Sequence, residues 1–240
     1  MFWFMEGTCF LPFFLVIWSS STFIISYIIA VIRKDVDVIF PYISDTGAEP
    51  PESGVFGLMT TVTAFTSMVT MFARYKYVQT LQKVVTNARP RLNLAALWCG
   101  LISSLGMCIV GTFQVTKLQY AHDAGALVFF IFGVTYMILQ SVISYFMHPD
   151  GSSMAVCHVR AIISGISVLA AFPMIICAML EGNMPTKLHW DPTEMGFIPH
   201  VVSTACEWVV TFGFVIFFLS YIREFKRFTL TLTAVMLASN

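Results

Sequence analysis

Glu207 lies inside a long apolar run, and a carboxylate held among hydrocarbon is unfavourable unless it is paired or put to use. His200 precedes it by seven residues, two turns of helix, so the two side chains fall on one face with Ser203 and Thr204 between them. His122 and Asp123 stand at the mouth of another apolar run, and His189, Asp191 and Asp45 occur in connecting segments. Three kinds of chemistry suit this set. Glu207 can be a structural anchor, bonded to a neighbouring hydroxyl, imidazole or backbone group. The cluster can bind a lipid headgroup or a small solute near the membrane interface. Finally, His122, Asp123, His200 and Glu207 can serve as acid, base or metal ligands in a hydrolase or acyltransferase. The sequence has no H-E-x-x-H and no closely spaced His pair, so neither a metal nor a cofactor is expected.

A second group is basic. Arg74, Lys76, Lys83, Arg89 and Arg91 fall between two apolar runs with no acid among them. Basic residues beside a bilayer attract anionic lipid by about 1 kcal/mol each, so contact with phosphoinositides is one reading and plain topological signalling is the other. Tyr75-Lys76-Tyr77-Val78 fits a tyrosine-type sorting signal, and Cys9 and Cys157, near span ends, are candidate palmitoylation sites. None of the six cysteines forms a C-x-x-C pair, which argues against a zinc or thioredoxin-like site.

The elements that position these groups are membrane spans. Of 240 residues 58% are hydrophobic and 11% charged, against about 25% charged in a soluble domain, so lipid is the expected solvent. Crossing the hydrocarbon core takes roughly 20 apolar residues at about 1.5 Å each. Six runs qualify, at 10–32, 55–72, 94–113, 125–146, 161–180 and 200–222, and they must be helices because unpaired backbone is not tolerated in lipid. The expected fold is all-α: a single domain, a six-helix membrane bundle with a small ordered lumenal cap. The first run is too long for a signal peptide, and no basic residue precedes it. Pro173 is expected to kink the fifth span, and Gly100, Ser104 and Cys108 to form a small-residue ridge for close packing.

An even number of spans puts both termini on one side. That side carries nine of the thirteen Lys and Arg, which makes it cytosolic by the positive-inside rule. The other four are Arg33, Lys34, Lys117 and Lys187, and the first two oppose the rule locally. The opposite face is acidic, with Asp35, Asp37, Asp45, Glu49, Glu52, Asp123, Glu181, Asp191 and Glu194. Zero formal net charge gives no reason to expect a nucleic-acid partner.

The connecting segments carry a resemblance. Pro41-Tyr42-Ile43-Ser44-Asp45-Thr46-Gly47, then Pro50-Pro51-Glu52-Ser53-Gly54, resembles the first loop of the DNA-damage-regulated autophagy modulator (DRAM) family. Similar stretches are Trp18-Ser19-Ser20, Phe23 through Tyr27, Ala73-Arg74-Tyr75-Lys76, His122 through Ala126, Leu188-His189-Trp190-Asp191-Pro192, and His200 through Trp208. They cover nearly the whole chain, and the short tail after Phe228 resembles the founding member more than its longer-tailed paralogue. The resemblance implies a lysosomal multi-pass membrane protein that promotes autophagy and stress-induced programmed cell death. It supplies no catalytic motif. It marks Pro41, Tyr42, Ser44, Asp45, Gly47, His189 and Trp190 as a lumenal motif. Expected partners are membrane lipids, anionic phosphoinositides on the cytosolic face, and unidentified membrane or autophagy proteins. A lipid-remodelling enzyme is the alternative.

Overall fold

In lipid there is no gain from hiding large aliphatic side chains, so helices associate through small and hydroxylated residues that let backbones approach. The first helix shows the pattern: Leu15, Ser19, Thr22, Ser26 and Ala30 are buried along one seam, whereas Ile17, Ile24 and Ile28 face outward. A computed structural model describes residues 6–39, 41–83, 89–181 and 188–231. It contains α1 (Phe10–Arg33), α2 (Glu52–Leu81), α3 (Pro90–Thr112), α4 (Gln119–Phe146), α5 (Met154–Leu180), α6 (Phe197–Leu219) and a single turn, α7 (Ile222–Phe225). Six of these are long and apolar enough to cross a membrane, and no strand occurs among the described residues.

Each helix packs on the next in sequence, and α6 returns to α1. Serines pin the seams. Ser67 and Ser104 pair between α2 and α3 at 2.8 Å, Ser103 donates to the Phe129 carbonyl of α4 at 2.8 Å, Ser141 and Ser164 join α4 to α5 at 2.9 Å, and Ser203 donates to Met174 of α5 at 2.8 Å. Backbones approach closely at Gly57, where an added Cβ would meet the Gly111 carbonyl of α3 at 2.5 Å, and at Gly106, where it would meet the Phe129 nitrogen of α4 at 2.6 Å. The small-residue ridge of α3 is in use: Gly100 lies under Met71 and Tyr136, and Ser104 holds Ser67. Helix α5 runs unbroken through Pro173.

Several helices outlast the apolar runs that define them in the sequence. Helix α2 continues through Arg74 to Leu81, and α5 starts before Arg160, so charges that look like span ends lie inside helices. The first and last described segments meet on one side, here called the terminal side: the Thr8 amide donates to the Phe225 and Phe228 carbonyls at 3.0 and 2.9 Å. Opposite this terminal side, residues 35–39, 41–51 and 188–196 fold over the bundle as the cap.

Candidate functional site

The cap is built on α6. Its first turn carries His200 and its second and third turns Ser203, Thr204 and Glu207, all buried. Residues 41–47 lie against them. Glu207 Oε2 accepts the Ile43 amide at 2.8 Å, and one turn of 3₁₀ helix at Asp45–Gly47 follows. Gly47 is required there, because a Cβ would come within 2.6 Å of the Phe56 side chain. Thr46 Oγ1 donates to Ile43 at 2.6 Å and pairs with Ser26 of α1 at 2.9 Å, while Trp208 Nε1 donates to Pro41 at 3.0 Å.

Tyr42 donates to Glu181 Oε1 at 2.5 Å, and the same oxygen lies 3.7 Å from His200 Nδ1, beyond hydrogen-bond range. The His200 ring is stacked under Trp190, with centroids 4.3 Å apart, and meets the edge of Tyr42 at 5.2 Å. Asp37 ties the two loops together: its carboxylate takes His189 Nδ1 and the Trp190 amide, each at 2.9 Å. Burial alone would raise the Asp37 pKa, but these two hydrogen bonds outweigh it and hold the carboxyl below its usual range. Asp45 is enclosed, and burial, reinforced by the Glu207 and Glu181 carboxylates, outweighs a backbone hydrogen bond at Tyr42 and pushes it well above the usual range. The Tyr42 hydroxyl is also raised, by burial and by Glu181. Ser44 is half-buried beside a cavity.

The four residues considered for catalysis do not close into one centre. His122 Nδ1 is engaged with the Phe113 carbonyl at the end of α3, at 2.7 Å. His122 and Glu207 share the wall of a cavity of about 50 Å³, mostly surrounded by Phe23, Phe56, Phe129 and Phe130. That is room for about four waters at roughly 10–15 Å³ apiece. Asp123 is exposed, and His200 belongs to the Tyr42–Glu181–Trp190 cluster. Among the described residues no three His, Cys, Asp or Glu are placed to hold a metal. The arrangement's evident chemistry is a hydrogen-bonded lock that fastens the cap to α1, α5 and α6.

A second buried polar centre sits on the terminal side, where the sequence alone suggests surface charge. Arg74 of α2 and Arg160 of α5 are both fully buried and both pair with Glu224 of α7. Arg160 donates to both Glu224 oxygens at 2.9 Å and to Ser144, Ser152 and Ser220. Arg74 also donates to Gln140 at 3.2 Å. The guanidiniums lie over Tyr221, with centroids at 4.9 and 4.6 Å, and Tyr221 meets Tyr136 hydroxyl to hydroxyl at 3.0 Å. Two cations thus surround one anion, and aromatic faces and hydroxyls take up the remainder.

This removes Arg74 from the anionic-lipid surface. Lys83, Arg89 and Arg91 remain exposed and Lys76 half-exposed. Tyr77 and Val78 of the sorting-like motif are buried in α2, and Cys9 and Cys157 are wholly buried, so none of these is presented for recognition or acylation. Arg33, which opposes the positive-inside rule, is matched by Asp35 at 3.0 Å and Glu52 at 3.5 Å, and Lys117 by Glu49 at 3.5 Å. Lys187 lies outside the described residues.

The residues that fasten the cap and fill the terminal centre are spread from Thr8 to Phe228. A family model described as the Frag1/DRAM/Sfk1/Cwh43P N-terminal domain matches residues 7–228. The chain belongs to this family. Within it, the chain is similar to DNA damage-regulated autophagy modulator protein 1 of Homo sapiens, 46% identical over 96% of each chain. It is also similar to modulator protein 2 of Rattus norvegicus, 40% identical over 98% of this chain and 90% of the relative. A more distant relative is the modulator of macroautophagy TMEM150B of Danio rerio, 29% identical over 90% of this chain and 85% of the relative. No solved structure matches.

Proposed function

We propose that this protein is a multi-pass modulator of autophagy in the lysosomal membrane, with both termini cytosolic, that also contributes to stress-induced programmed cell death. It acts through membrane lipids or protein partners. The observation that carries the reading is the near-full-length match to relatives named as DNA damage-regulated autophagy modulators. The geometry supports action by contact, since the polar groups on both sides of the bundle are engaged in holding segments together. The excess of Lys and Arg on the terminal side supports the orientation.

The test is autophagic flux in cells lacking the protein, measured as lysosome-dependent turnover of a lipidated autophagosome marker before and after DNA damage. Flux induced by damage falls in these cells and returns on re-expression of the wild-type chain. Unchanged flux in the null cells overturns the reading. A lumenal epitope after Phe228, protected from protease in intact lysosomes, would overturn the orientation.

A further inference from the structure

A groove of about 610 Å³ lies between the terminal-side half of α1, with Phe10, Phe14 and Ile17 on one wall, and α2, with Phe65, Thr66 and Val69 on the other. The volume lies in the range of about 300–1,000 Å³ found for ligand sites. Its inner end is closed where Trp18 Nε1 donates to the Met59 carbonyl at 3.0 Å and stacks on Phe14 at 5.4 Å. Among the described residues the one polar side chain in the wall, Thr66, has its hydroxyl committed to Val62 at 2.8 Å. The walls therefore offer a headgroup nothing and a hydrocarbon chain two rows of aromatic and aliphatic contacts.

At the open end the chemistry changes. Lys76 follows Val69 by seven residues on α2, two turns and about 10 Å further towards the terminal side, on the same helix face as Phe65 and Val69. Its ammonium rests over Phe72 and Tyr75, at 5.6 and 5.7 Å, and gives one of its three donors to Gln79 at 3.1 Å. Across the mouth, the acid of the α1 side, Glu6, lies 3.7 Å from Lys226 Nζ. The mouth therefore presents a cation above an apolar slot, at the depth where lysine stems reach for the interface.

We propose that this slot is a binding site for an anionic glycerophospholipid of the leaflet facing the two termini, with one acyl chain between α1 and α2 and the phosphate-bearing head at Lys76. The aromatic walls select a tail, and Lys76 selects a negative head. The site deepens the lipid arm of the proposed function. Its test reads purified protein, so failure here leaves the autophagy reading standing and a null result on flux leaves the site standing.

The experiment uses the full chain in nanodiscs of phosphatidylcholine with phosphatidylserine or phosphatidylinositol 4-phosphate, released from the discs and weighed by native mass spectrometry. The wild type retains the anionic lipid over phosphatidylcholine. Lys76→Gln loses about fivefold of that preference, as removal of about one near-surface charge predicts, while still carrying lipid. Val69→Trp fills the slot and loses retention of both lipids. Lys83→Gln, an exposed charge away from the slot, retains lipid as the wild type does. Val69 is half-exposed on the outer face, so the bulky variant does not challenge the core, and monodisperse elution confirms its fold. Equal retention by wild type and Val69→Trp overturns the site, because the lipid is then only annular. Equal loss in Lys83→Gln and Lys76→Gln overturns the assignment of the head. A lipid with a photoreactive tail should label Phe10–Ile17 or Phe65–Val69; cross-links from there to a second copy overturn the proposal in favour of a dimer interface.

Discussion

Glu207 and Glu224 illustrate two ways of keeping a carboxylate out of water. Glu207 serves one backbone amide, so its removal strands a buried donor, whereas an amide in its place still accepts. Glu207→Leu should therefore destabilise the purified protein by about 1–3 kcal/mol and Glu207→Gln by much less, measured by thermal unfolding in detergent. Equal losses would mean that the charge, and not the acceptor, is what matters. Glu224 is answerable for two cations, and its removal should be harsher: Glu224→Gln costs about 3–5 kcal/mol. Replacing Arg74, Arg160 and Glu224 together by Met, Met and Leu should recover part of that loss, because no unpaired charge is then enclosed. A triple variant less stable than the single one would contradict this account. Glu207 was legible in the sequence because it interrupts an apolar run. Glu224 was not, since Arg223, Lys226 and Arg227 around it read as a solvated tail. The available signal was the spacing of Tyr221 and Phe225, four apart and stacked at 5.8 Å, which marks a buried helical face continuing past the sixth span.

At the scale of elements, hydropathy identified the six helices but drew their ends at the first charge. That convention put Arg74 and Arg160 into loops, when α2 runs on to Leu81 and α5 begins at Met154. Helix length is set by packing and capping, and Ser153, whose hydroxyl accepts the Val156 amide at 3.4 Å, is the true start of α5. The close approach of α3 to α4 was equally hidden, because a glycine in an apolar run has no signature of contact. Gly106→Val should wedge these helices apart and abolish monodisperse expression, while Gly165→Val, with nothing within 4 Å of its added Cβ, should be tolerated; the pair is read by size-exclusion chromatography. The cap responds to pH through Asp45, which faces Glu207, Glu181, Tyr42 and Asp123. Its raised pKa means that the folded cap holds a proton more tightly than the open one. This contribution is complete below the ordinary carboxylate range and fades as pH rises through the raised value. Asp37 runs the other way, and its contribution disappears only as pH falls below its lowered value. Amides of residues 42–47 should accordingly be better protected from hydrogen exchange at about pH 5 than near pH 7.5, after correction for intrinsic rates, and Asp45→Asn should flatten the difference. A cap equally protected at both values, or an unchanged difference in the variant, would rule this out.

For the whole molecule, the sequence shows which face is acidic and which is basic, but hydropathy does not reveal that each face is closed by a different kind of bond. The cap is held mainly by neutral or singly charged hydrogen bonds to backbone groups, as at Ile43, Trp190 and Pro41. The terminal side is held by a compact ionic knot that joins α2, α5 and α7, with Thr8 stitched to the last turn. Contacts between Tyr42 and Glu181, or Arg74 and Glu224, join residues more than a hundred positions apart, and no local periodicity encodes them.

The position of Glu224 has a consequence for synthesis. A ribosome has made all six spans before it adds the residue that neutralises Arg74 and Arg160, so the nascent bundle cannot settle its basic core until the turn after the sixth span has been made. A stop codon anywhere between the sixth span and Glu224 would yield a protein with every spanning helix present and two stranded cations inside it, a product that membrane quality control should degrade.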